Sequence, residues 1–583
     1  MQEQPRDPSI SFMRSLCLGE IEEEVILPFP KLSEDEKETL RGVFTSLEGL
    51  LKPHEEDFRQ WDRAGEMPRD FIEQLKEYGL FGLVIPEAAG GLGFGSGAYS
   101  RALQEIAKYD ASVAVTIGAH SSIGMRGLLL YGTEEQRARY YPKLVTGEMI
   151  AAFCLTEPEA GSDAASIRTT ARRVEDGWVL NGNKIWITNG GIADFFTVFA
   201  KTSTEGRGKI SAFIVTRDMP GVSVGTHEDK MGIRASSTTS VHFDNVHVPR
   251  ENLLGEEHKG FKIAMSILNS GRTGLGGGSI GAMKRLIAST TTTAKERKQF
   301  GKSISEYGLI KQKVGQMVVD CYATECVVSM VAALTDRGYE DYAVEAAISK
   351  VFASEALWRT ADEALQVAAG NGYMCAYPYE RIVRDSRINR IFAGTNEVLR
   401  LFIALSAMDG VASRLKELPT SLQGVFNDPI KGFGVLGDYA LRRAQLATGI
   451  SREKGTFSQI HPRLKEPAVL FEQSTRELAV AVDRILRKHG KNIIGKQFAS
   501  RRLADIMIDL FALACILSRV NTAVEERGVE SAEQEVQILN VFAHQAQRRI
   551  KSNFDSIDDN ADELVKSIAD HAFEAERFAW DTV

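Results

Sequence analysis

The sequence predicts an α+β multidomain chain: an N-terminal helical domain, a central β domain, a four-helix bundle and an extra C-terminal helical domain. Three observations predict it. Apolar residues recur at helical spacing up to about residue 150, the period shortens to strand alternation over 151–255, and long helical patterns return from Phe261. A stretch broken by Pro419, Gly424, Pro429, Gly432, Gly434 and Gly437 then precedes a second run of helical patterns. A helix–strand–helix order without βα alternation points to separate domains rather than a doubly wound sheet. The expected boundaries are an arm over 1–35, a helical domain over 36–150, a β domain over 151–255, a bundle over 256–410, and a linker with a helical domain over 411–583.

Taken in order, Ser33 precedes Glu34-Asp35-Glu36, an N-cap with a capping-box glutamate, and Leu40, Val43, Phe44, Leu47, Leu50 and Leu51 follow at helical spacing. Pro68 opens a helix over 71–78, and Gly79 closes it. Residues 84–93 read as a glycine-rich loop, and helical patterns resume over 99–108, 112–124 and 134–141. One face near the second of these is small (Ala111, Ser112, Ala114, Gly118, Ala119), which either leaves a channel open or lets helices pack closely. Residues 178–188 predict two strands around an Asn181-Gly182 turn. Short strands follow over 196–200 and 211–215. Residues 241–248 alternate, which places His242 and His247 on opposite faces and argues against a metal pair. Helical patterns over about 261–294, 306–336 and 341–369, with a shorter one after Asn396, make the bundle. Four more, over about 467–489, 498–527, 531–552 and 560–581, make the last domain. The apolar run 506–517 is interrupted by Asp509, is too short to span a bilayer and reads as a core helix.

Composition narrows the function. With 25% charged and 43% hydrophobic residues over 583, the chain has ordinary globular composition and length for several domains. A net charge of -8 and no long basic block argue against a nucleic-acid partner. Six scattered cysteines without a CxxC pair read as reduced thiols, and no metal site is expected. The N-terminus is polar and lacks an apolar signal core, so no secretory signal is expected. Residues 276–281 spell GxGxxG but follow a helical pattern rather than a strand, so they read as small residues for close helix approach. In 417–449, Val425, Phe426, Phe433 and Leu436 lie among Lys431, Arg442 and Arg443. That stretch reads as a linker or, alternatively, as a peripheral membrane contact.

Three blocks carry the chemistry: Phe153-Cys154-Leu155-Thr156-Glu157-Pro158-Glu159-Ala160-Gly161-Ser162-Asp163, Arg297-Lys298-Gln299-Phe300-Gly301, and Arg390-Ile391-Phe392-Ala393-Gly394-Thr395-Asn396-Glu397. In this order they resemble the acyl-CoA dehydrogenase family of flavoenzymes. The resemblance covers essentially the whole chain. Phe29-Pro30, Gly118-Ala119-His120, residues 163–169 and the extra domain after 410 are similar to the very-long-chain branch.

The resemblance implies FAD as cofactor, held by Phe153, Leu155, Thr156, Ser162, Trp186, Thr188, Thr395 and Glu397. It also implies Arg297, Gln299, Phe300, Gln366, Val367 and Gly370, which in the family reach the FAD of a neighbouring subunit, hence a homodimer. Ser162, Asn269, Arg272 and Gly394 are the implied substrate contacts, with Arg272 orienting and polarising the base region. The implied reaction is α,β-dehydrogenation of a long-chain fatty acyl-CoA, with electron-transfer flavoprotein as electron acceptor. The implied location is the cytoplasm and inner-membrane surface of a bacterium, or the mitochondrial matrix side.

Three departures from the family pattern stand out: Gln299 in the flavin arginine motif, Ala369 where a second glycine is common, and Ala393 where the family carries its glutamate base. A methyl group cannot accept a proton. Three functions follow: a long-chain acyl-CoA dehydrogenase inactivated at this position, a catalytically silent FAD-binding scaffold for a membrane or respiratory assembly, or a flavin oxidase or desaturase with its base elsewhere.

Overall fold

The computed structural model of the chain describes residues 7–203, 208–424 and 455–582. It opens with helices α1 (Phe12–Cys17), α2 (Glu23–Ile26), α3 (Glu34–Leu51), α4 (Glu55–Ala64), α5 (Arg69–Glu77), α6 (Ser96–Ala107), α7 (Ala111–Gly118), α8 (Arg126–Tyr131) and α9 (Glu134–Val145). Strands β1 (Ala151–Cys154), β2 (Thr170–Val174), β3 (Gly177–Thr188), β4 (Phe195–Ser203), β5 (Lys209–Thr216), β6 (Val222–Val224), β7 (Thr238–Pro249) and β8 (Leu253–Leu254) follow. Next come α10 (Gly260–Glu296), a hairpin of β9 (Lys298–Gln299) and β10 (Lys302–Ser303), α11 (Gly308–Asp336), α12 (Ala343–Ala368), α13 (Gly370–Tyr373) and α14 (Tyr379–Arg387). The chain continues through α15 (Asn396–Gly424), α16 (Lys465–His489), α17 (Gln497–Arg527), α18 (Glu533–Asp558) and α19 (Asp562–Ala575).

These elements form two compact units: Met1–Ser9 with Phe29–Val398, and Ile10–Pro28 with Leu399–Val583. In the first, the capping box at Ser33 forms as expected: Ser33 Oγ accepts from Glu36 N at 3.2 Å, and Glu36 Oε2 accepts from Ser33 N at 2.8 Å. The eight-stranded sheet runs β6-β7-β3-β2-β4-β5-β8, with β1 parallel to β4. Phe195, Phe196, Phe199 and Phe213 fill the layers beside it. Helices α10, α11 and α12 pack on one another, and α6 lies along α10.

Three expectations change. Residues 178–188 are not a hairpin but part of one strand, β3, paired with β2 on one side and β7 on the other. Pairing on both sides leaves no room for a reversal at Asn181-Gly182; a Cβ at Gly182 would lie 2.3 Å from Thr169 Oγ1, so the glycine serves close approach. On β7, Asn245 has φ 51° and the register with β3 slips beside it. This bulge flips the side-chain parity, so Val241, Phe243, Val246 and Val248 are all buried, and His242 and His247 share the outer face instead of opposing each other. The two rings bond different partners, His242 with Asn183 (2.8 Å) and Ser240 (2.9 Å), His247 with Asp176 (2.8 Å). Finally, the short helix expected after Asn396 is 29 residues long. It runs through Gly410, because one glycine in a helix costs only about 1 kcal/mol. The remainder of 417–449, beyond 424, and the membrane contact read there lie outside the described residues.

In the second unit, Phe12 on α1 stacks on Phe471 at 6.3 Å and meets Phe511 at 6.2 Å, and Ser518 Oγ donates to the Ile26 carbonyl. Ile10–Pro28 thereby belongs to the second unit, and Phe29 onward to the first. Residues 506–517 are buried along α17, and the interrupting Asp509 pairs with Arg549 on α18 at 2.6 Å. Two other stretches, Ala111–Tyr131 and Gly308–Asp336, are apolar and long enough to cross a bilayer. They are 61% and 78% buried inside the protein, as core helices are.

The GxGxxG stretch lies inside α10 and works by contact. A Cβ at Gly277 would meet Ser100 O at 2.6 Å, and one at Gly281 would meet Gln104 O at 2.1 Å, both on α6. Backbone cannot move aside as a flexible side chain can, so Gly281→Ala is expected to destabilise the protein by ~1–3 kcal/mol, the usual range for overpacking. Urea unfolding followed by circular dichroism checks this; an unchanged midpoint would mean that α6 and α10 separate freely.

Candidate active site

The turn between α14 and α15 is held in an unusual shape by one buried side chain. Ala393 has φ 54° and Gly394 φ 93°. A left-handed backbone is costly for a residue with a Cβ and persists only where surroundings impose it. Here Lys350 on α12, fully buried, donates from Nζ to Gly394 O and to Asn396 Oδ1, both at 2.8 Å. Asn396 in turn donates from Nδ2 to Ser354 Oγ (3.0 Å) and Glu355 Oε1 (3.1 Å) on the same helix. Thr395 Oγ1 accepts from Val398 N at 3.3 Å at the start of α15, where Glu397 stands exposed. Among the described residues, the N–H groups of Ala393, Gly394 and Thr395 have no acceptor. Three consecutive free donors are available to a carbonyl or anionic oxygen.

Electrostatics converge on the same place. Burial, then the nearby Arg272 guanidinium, pulls Lys350 down to about 7, while Glu355 and Glu397 pull it back up and Arg390 lowers it further. Arg272 on α10 is buried too, and burial lowers it to about 10. Its Nη1 donates to Asn269 Oδ1 at 2.7 Å, one turn earlier, while its Nε has no acceptor. The sequence-selected Asn269, Arg272 and Gly394 are thus brought into one neighbourhood through Lys350, which the sequence reading passed over.

A second buried lysine shapes the 153–163 block. Lys184 on β3 donates from Nζ to Glu157 Oε1 (2.7 Å) and Leu155 O (3.1 Å). Glu157 also accepts from the Arg168 and Thr169 N–H groups, and Ile185 N donates to Thr156 O at 3.0 Å. Attraction to Lys184 holds the Glu157 carboxyl below its usual range despite burial, whereas burial outweighs the same attraction at Lys184 and lowers it. The result fixes Thr156 beside the end of β3. There Trp186 has φ 55° and is 63% exposed, with Thr188 two residues on. Leu155 is buried, Ser162 is exposed, and the half-buried Phe153 packs on Phe199 at 5.1 Å.

The remaining expected residues gather elsewhere in the same unit. Arg297 ends α10, and its side chain has no hydrogen-bond or ionic partner among the described residues. Gln299 and Phe300 sit on the β9–β10 hairpin; Phe300 has φ 52° and is 95% exposed, edge-on to Tyr307 at 6.4 Å. Gln366 is exposed and Val367 buried at the end of α12, where Ala369, with φ 53°, turns the chain into the exposed Gly370. Among the described residues, no hydrogen bond or ring contact joins this group to the 153–188 block.

Comparison with known proteins supplies the identity of this arrangement. The chain matches the acyl-CoA dehydrogenase N-terminal, middle and C-terminal domains over residues 33–148, 152–246 and 258–408. It also matches the ACAD9/ACADV C-terminal domain over 462–578. It is 40% identical over 564 residues to the mitochondrial very long-chain specific acyl-CoA dehydrogenase of Rattus norvegicus, covering 95% of this chain and 85% of that protein. The chain belongs to the acyl-CoA dehydrogenase family. Among solved structures, an acyl-CoA dehydrogenase complexed with FAD from Bacillus anthracis superposes with a TM-score of 0.80 at 31% identity, covering 97% of this chain and 96% of that one. Butyryl-CoA dehydrogenase from Megasphaera elsdenii matches at 37% identity and a TM-score of 0.62, covering 65% of this chain and 99% of that one. The expected fold of helical, β and helical domains with extra C-terminal helices is that of the family.

Lys350 lies in Ala346-Ala347-Ile348-Ser349-Lys350-Val351-Phe352-Ala353, and a lysine amid small and apolar residues was the available signal. Lys184, before Ile185 and Trp186 on a strand, gave the same signal. Burial disfavours the Lys350 ammonium, so between about 7 and its ordinary 10.5 the unfolded chain holds the extra proton and stability rises with pH. The penalty is complete below about 7. Replacing Lys350 by Met is expected to flatten the pH dependence of unfolding above neutrality by up to roughly 1.4 kcal/mol per pH unit. Urea midpoints of both proteins at several pH values check this; parallel curves would show that the amine titrates normally.

Proposed function

We propose that this chain is a homodimeric, FAD-binding acyl-CoA dehydrogenase of the very-long-chain type whose proton-abstracting step is disabled at Ala393. The observation that carries the proposal is the 393–396 turn. Its left-handed backbone and free N–H groups are held by Lys350, while the side chain at 393 is a methyl group.

The residues fit the cofactor. Trp186 offers an exposed ring at a strand end, beside the loop that Glu157 and Lys184 hold. Thr156 and Thr188 bring hydroxyls to the same strand end. The uncompensated Arg297, with exposed Phe300 and Gln366, suits a pyrophosphate and its neighbours. When bound, the flavin supplies the acceptor for a hydride equivalent. This chain's residues do the rest: Phe153, Leu155, Thr156, Ser162, Trp186 and Thr188 hold the ring system in one protomer, joined by Thr395 and Glu397. Arg297, Gln299, Phe300, Gln366, Val367 and Gly370 reach the cofactor of a second protomer. Electron-transfer flavoprotein is the proposed acceptor of the electrons.

For the substrate, Ser162, Asn269, Arg272 and Gly394 contact the acyl-CoA, and the Ala393 N–H donates to the thioester carbonyl. That donation acidifies the α-hydrogen and survives the substitution, because it uses backbone. Removal of the proton does not survive. Loss of a positioned base costs ~10²–10⁴-fold, and more where water cannot reach.

Ala393→Glu is expected to accelerate anaerobic bleaching of the flavin by long-chain acyl-CoA at least ~10²-fold. The chromophore, released from the same preparation, is expected to have the mass of FAD. Fast bleaching by the unmodified chain would place the base elsewhere. No gain with FAD bound would favour the scaffold reading, which the methyl group at 393 also suits.

Because Arg297 and Gln366 are assigned to the partner's cofactor, light scattering of the holoprotein is expected to give a dimer mass. A monomer that retains FAD would remove that assignment.

A further inference from the structure

Between β6 and β7 the chain has no regular structure over 225–237, yet its tip is seated closely on α14. Arg384 Nη1 donates to Met231 O at 3.0 Å, and Ile233 N donates to Asp385 Oδ1 at 2.5 Å. A Cβ at Gly232 would lie 2.4 Å from the Arg384 carbonyl carbon. Ile233 is buried with φ 45°, a conformation that a β-branched residue keeps only where its surroundings impose it. Lifting the tip from α14 would release that strain. From the tip the chain runs to the end of β3: Ser237 O accepts from Asn189 N at 2.8 Å, Ser237 Oγ accepts from Gly191 N at 3.0 Å, and Thr238 pairs with Thr188.

Three buried carboxylates act on one another at this seat: Asp62 of α4, Asp110 at the start of α7 and Asp385 of α14. Two of them have an arginine, Asp62 with Arg384 Nη2 at 2.8 Å and Asp110 with Arg381 Nη1 at 3.1 Å. Asp110 also accepts from Val113 N at 2.9 Å. Among the described residues Asp385 has no ion pair, and its hydrogen bond is the one from Ile233. The other charges are engaged: Arg234 with Asp229 (2.6 Å), Arg384 Nε with Glu380 (2.7 Å), and Lys230 Nζ with Ser236 O (2.6 Å) and Thr238 Oγ1 (3.0 Å), with Glu228 nearby. His227 Nε2 lies 3.2 Å from Arg234 O. A third carboxylate charge without its own cation is costly in so dry a place. Burial pushes the Asp385 carboxyl up to about 7; Arg381 opposes the shift, and Asp110 and Asp62 add to it.

We infer that residues 229–236 form a proton-operated strap, latched on α14 by the Asp385 carboxylic acid and loosened when that acid ionises. Through Ser237 the latch governs how firmly the end of β3 after Trp186 is held, and with it the grip on the cofactor proposed for that wall. The cofactor consequence alone rests on the FAD reading. With the strap lifted, Asp385 regains water and its ordinary value of 3.8. Its contribution to docking is therefore full below 3.8, falls as pH rises and levels off above about 7. His227 and Lys230 are both lowered by burial, so their titration favours docking as pH rises and carries the opposite sign. Asp110, raised by burial, shares the sign of Asp385, and variants separate the two.

Hydrogen–deuterium exchange of the full chain, read by mass spectrometry on a peptide spanning 229–236, tests the latch without turnover. After correction for intrinsic exchange, protection is expected to fall by up to about tenfold per pH unit between about pH 5 and about pH 7, then to level off. Asp385→Asn keeps an acceptor for Ile233 N but cannot ionise, so its protection should stay high and flat, whereas Asp110→Asn should keep the fall. Gly232→Ala, whose methyl group meets the α14 backbone, should be poorly protected at every pH, and with Asp110→Asn it decides the matter if Asp385→Asn does not fold. The Kd for FAD, measured by flavin fluorescence, should rise over the same interval in the unmodified chain and not in Asp385→Asn. A flat profile in the unmodified chain, or a fall that survives in Asp385→Asn, would overturn the latch. A strap that loosens while FAD affinity stays constant would overturn its link to the cofactor. Absence of FAD binding at every pH would overturn the FAD reading and leave the exchange profiles to decide the latch.

Discussion

Lys350 carries an amine into a place closed to solvent, and the geometry of the 393–396 turn depends on where its Nζ hydrogens go. They go to a carbonyl and an amide oxygen of the 393–396 turn rather than to a carboxylate. Neutral acceptors of this kind orient an ammonium without cancelling its charge, so the fold bears a desolvation cost and Lys350 is drawn down to about 7. In return the turn cannot relax from its left-handed conformation without leaving that amine unsatisfied. The backbone donors at 393–395 stay pre-aimed. Backbone donors do not depend on side-chain identity, so an alanine at 393 leaves the three N–H groups where the turn aims them.

The same device recurs at the other wall. Lys184 and Glu157 are both buried, and each is satisfied again by backbone: Leu155 O for the lysine, Arg168 N and Thr169 N for the glutamate. A buried pair with such supplementary bonds contributes less to net stability than to specifying one arrangement of a loop. Here the loop follows β1 and is laced to β3, so a segment containing Pro158 and Gly161 acquires the order needed to present Thr156 beside Trp186. Trp186 and Phe300 are both exposed and both have positive φ, a conformation costly for residues with a Cβ.

Close packing of α10 sets the distance between these parts. Gly277 and Gly281 let α6 approach to backbone contact, and Arg272 and Asn269 lie on the same helix. The helix that closes the N-terminal helices onto the bundle is therefore also the one that carries the buried Arg272 and its partner Asn269. The small face at 111–119 is not featureless: Ser112, Ala114 and Ala119 are buried, whereas a Cβ at Gly118 would meet nothing within 4 Å.

Much of this was legible in the sequence. Ser33 with Glu36, the long patterns over 261–369 and the Asp509-interrupted apolar run determined elements by local rules: capping, period and length. The three motif blocks pointed to the family, and the alanine at 393 was visible at once, because identity at one position needs no geometry. Tertiary structure alone decided the rest. Asn181-Gly182 reads locally as a turn, yet two neighbouring strands hold it straight. His242 and His247 read locally as opposed, yet one bulged residue, Asn245, puts them on one face. Lys184 and Lys350 read as ordinary lysines in apolar surroundings; whether such a residue is solvated or buried, and which distant oxygen receives its proton, depends on strands and helices that meet only in the fold. Local sequence specifies conformational preference, while burial and partner choice arise from contacts between segments far apart in the chain, and those contacts set the charge and shape of this site.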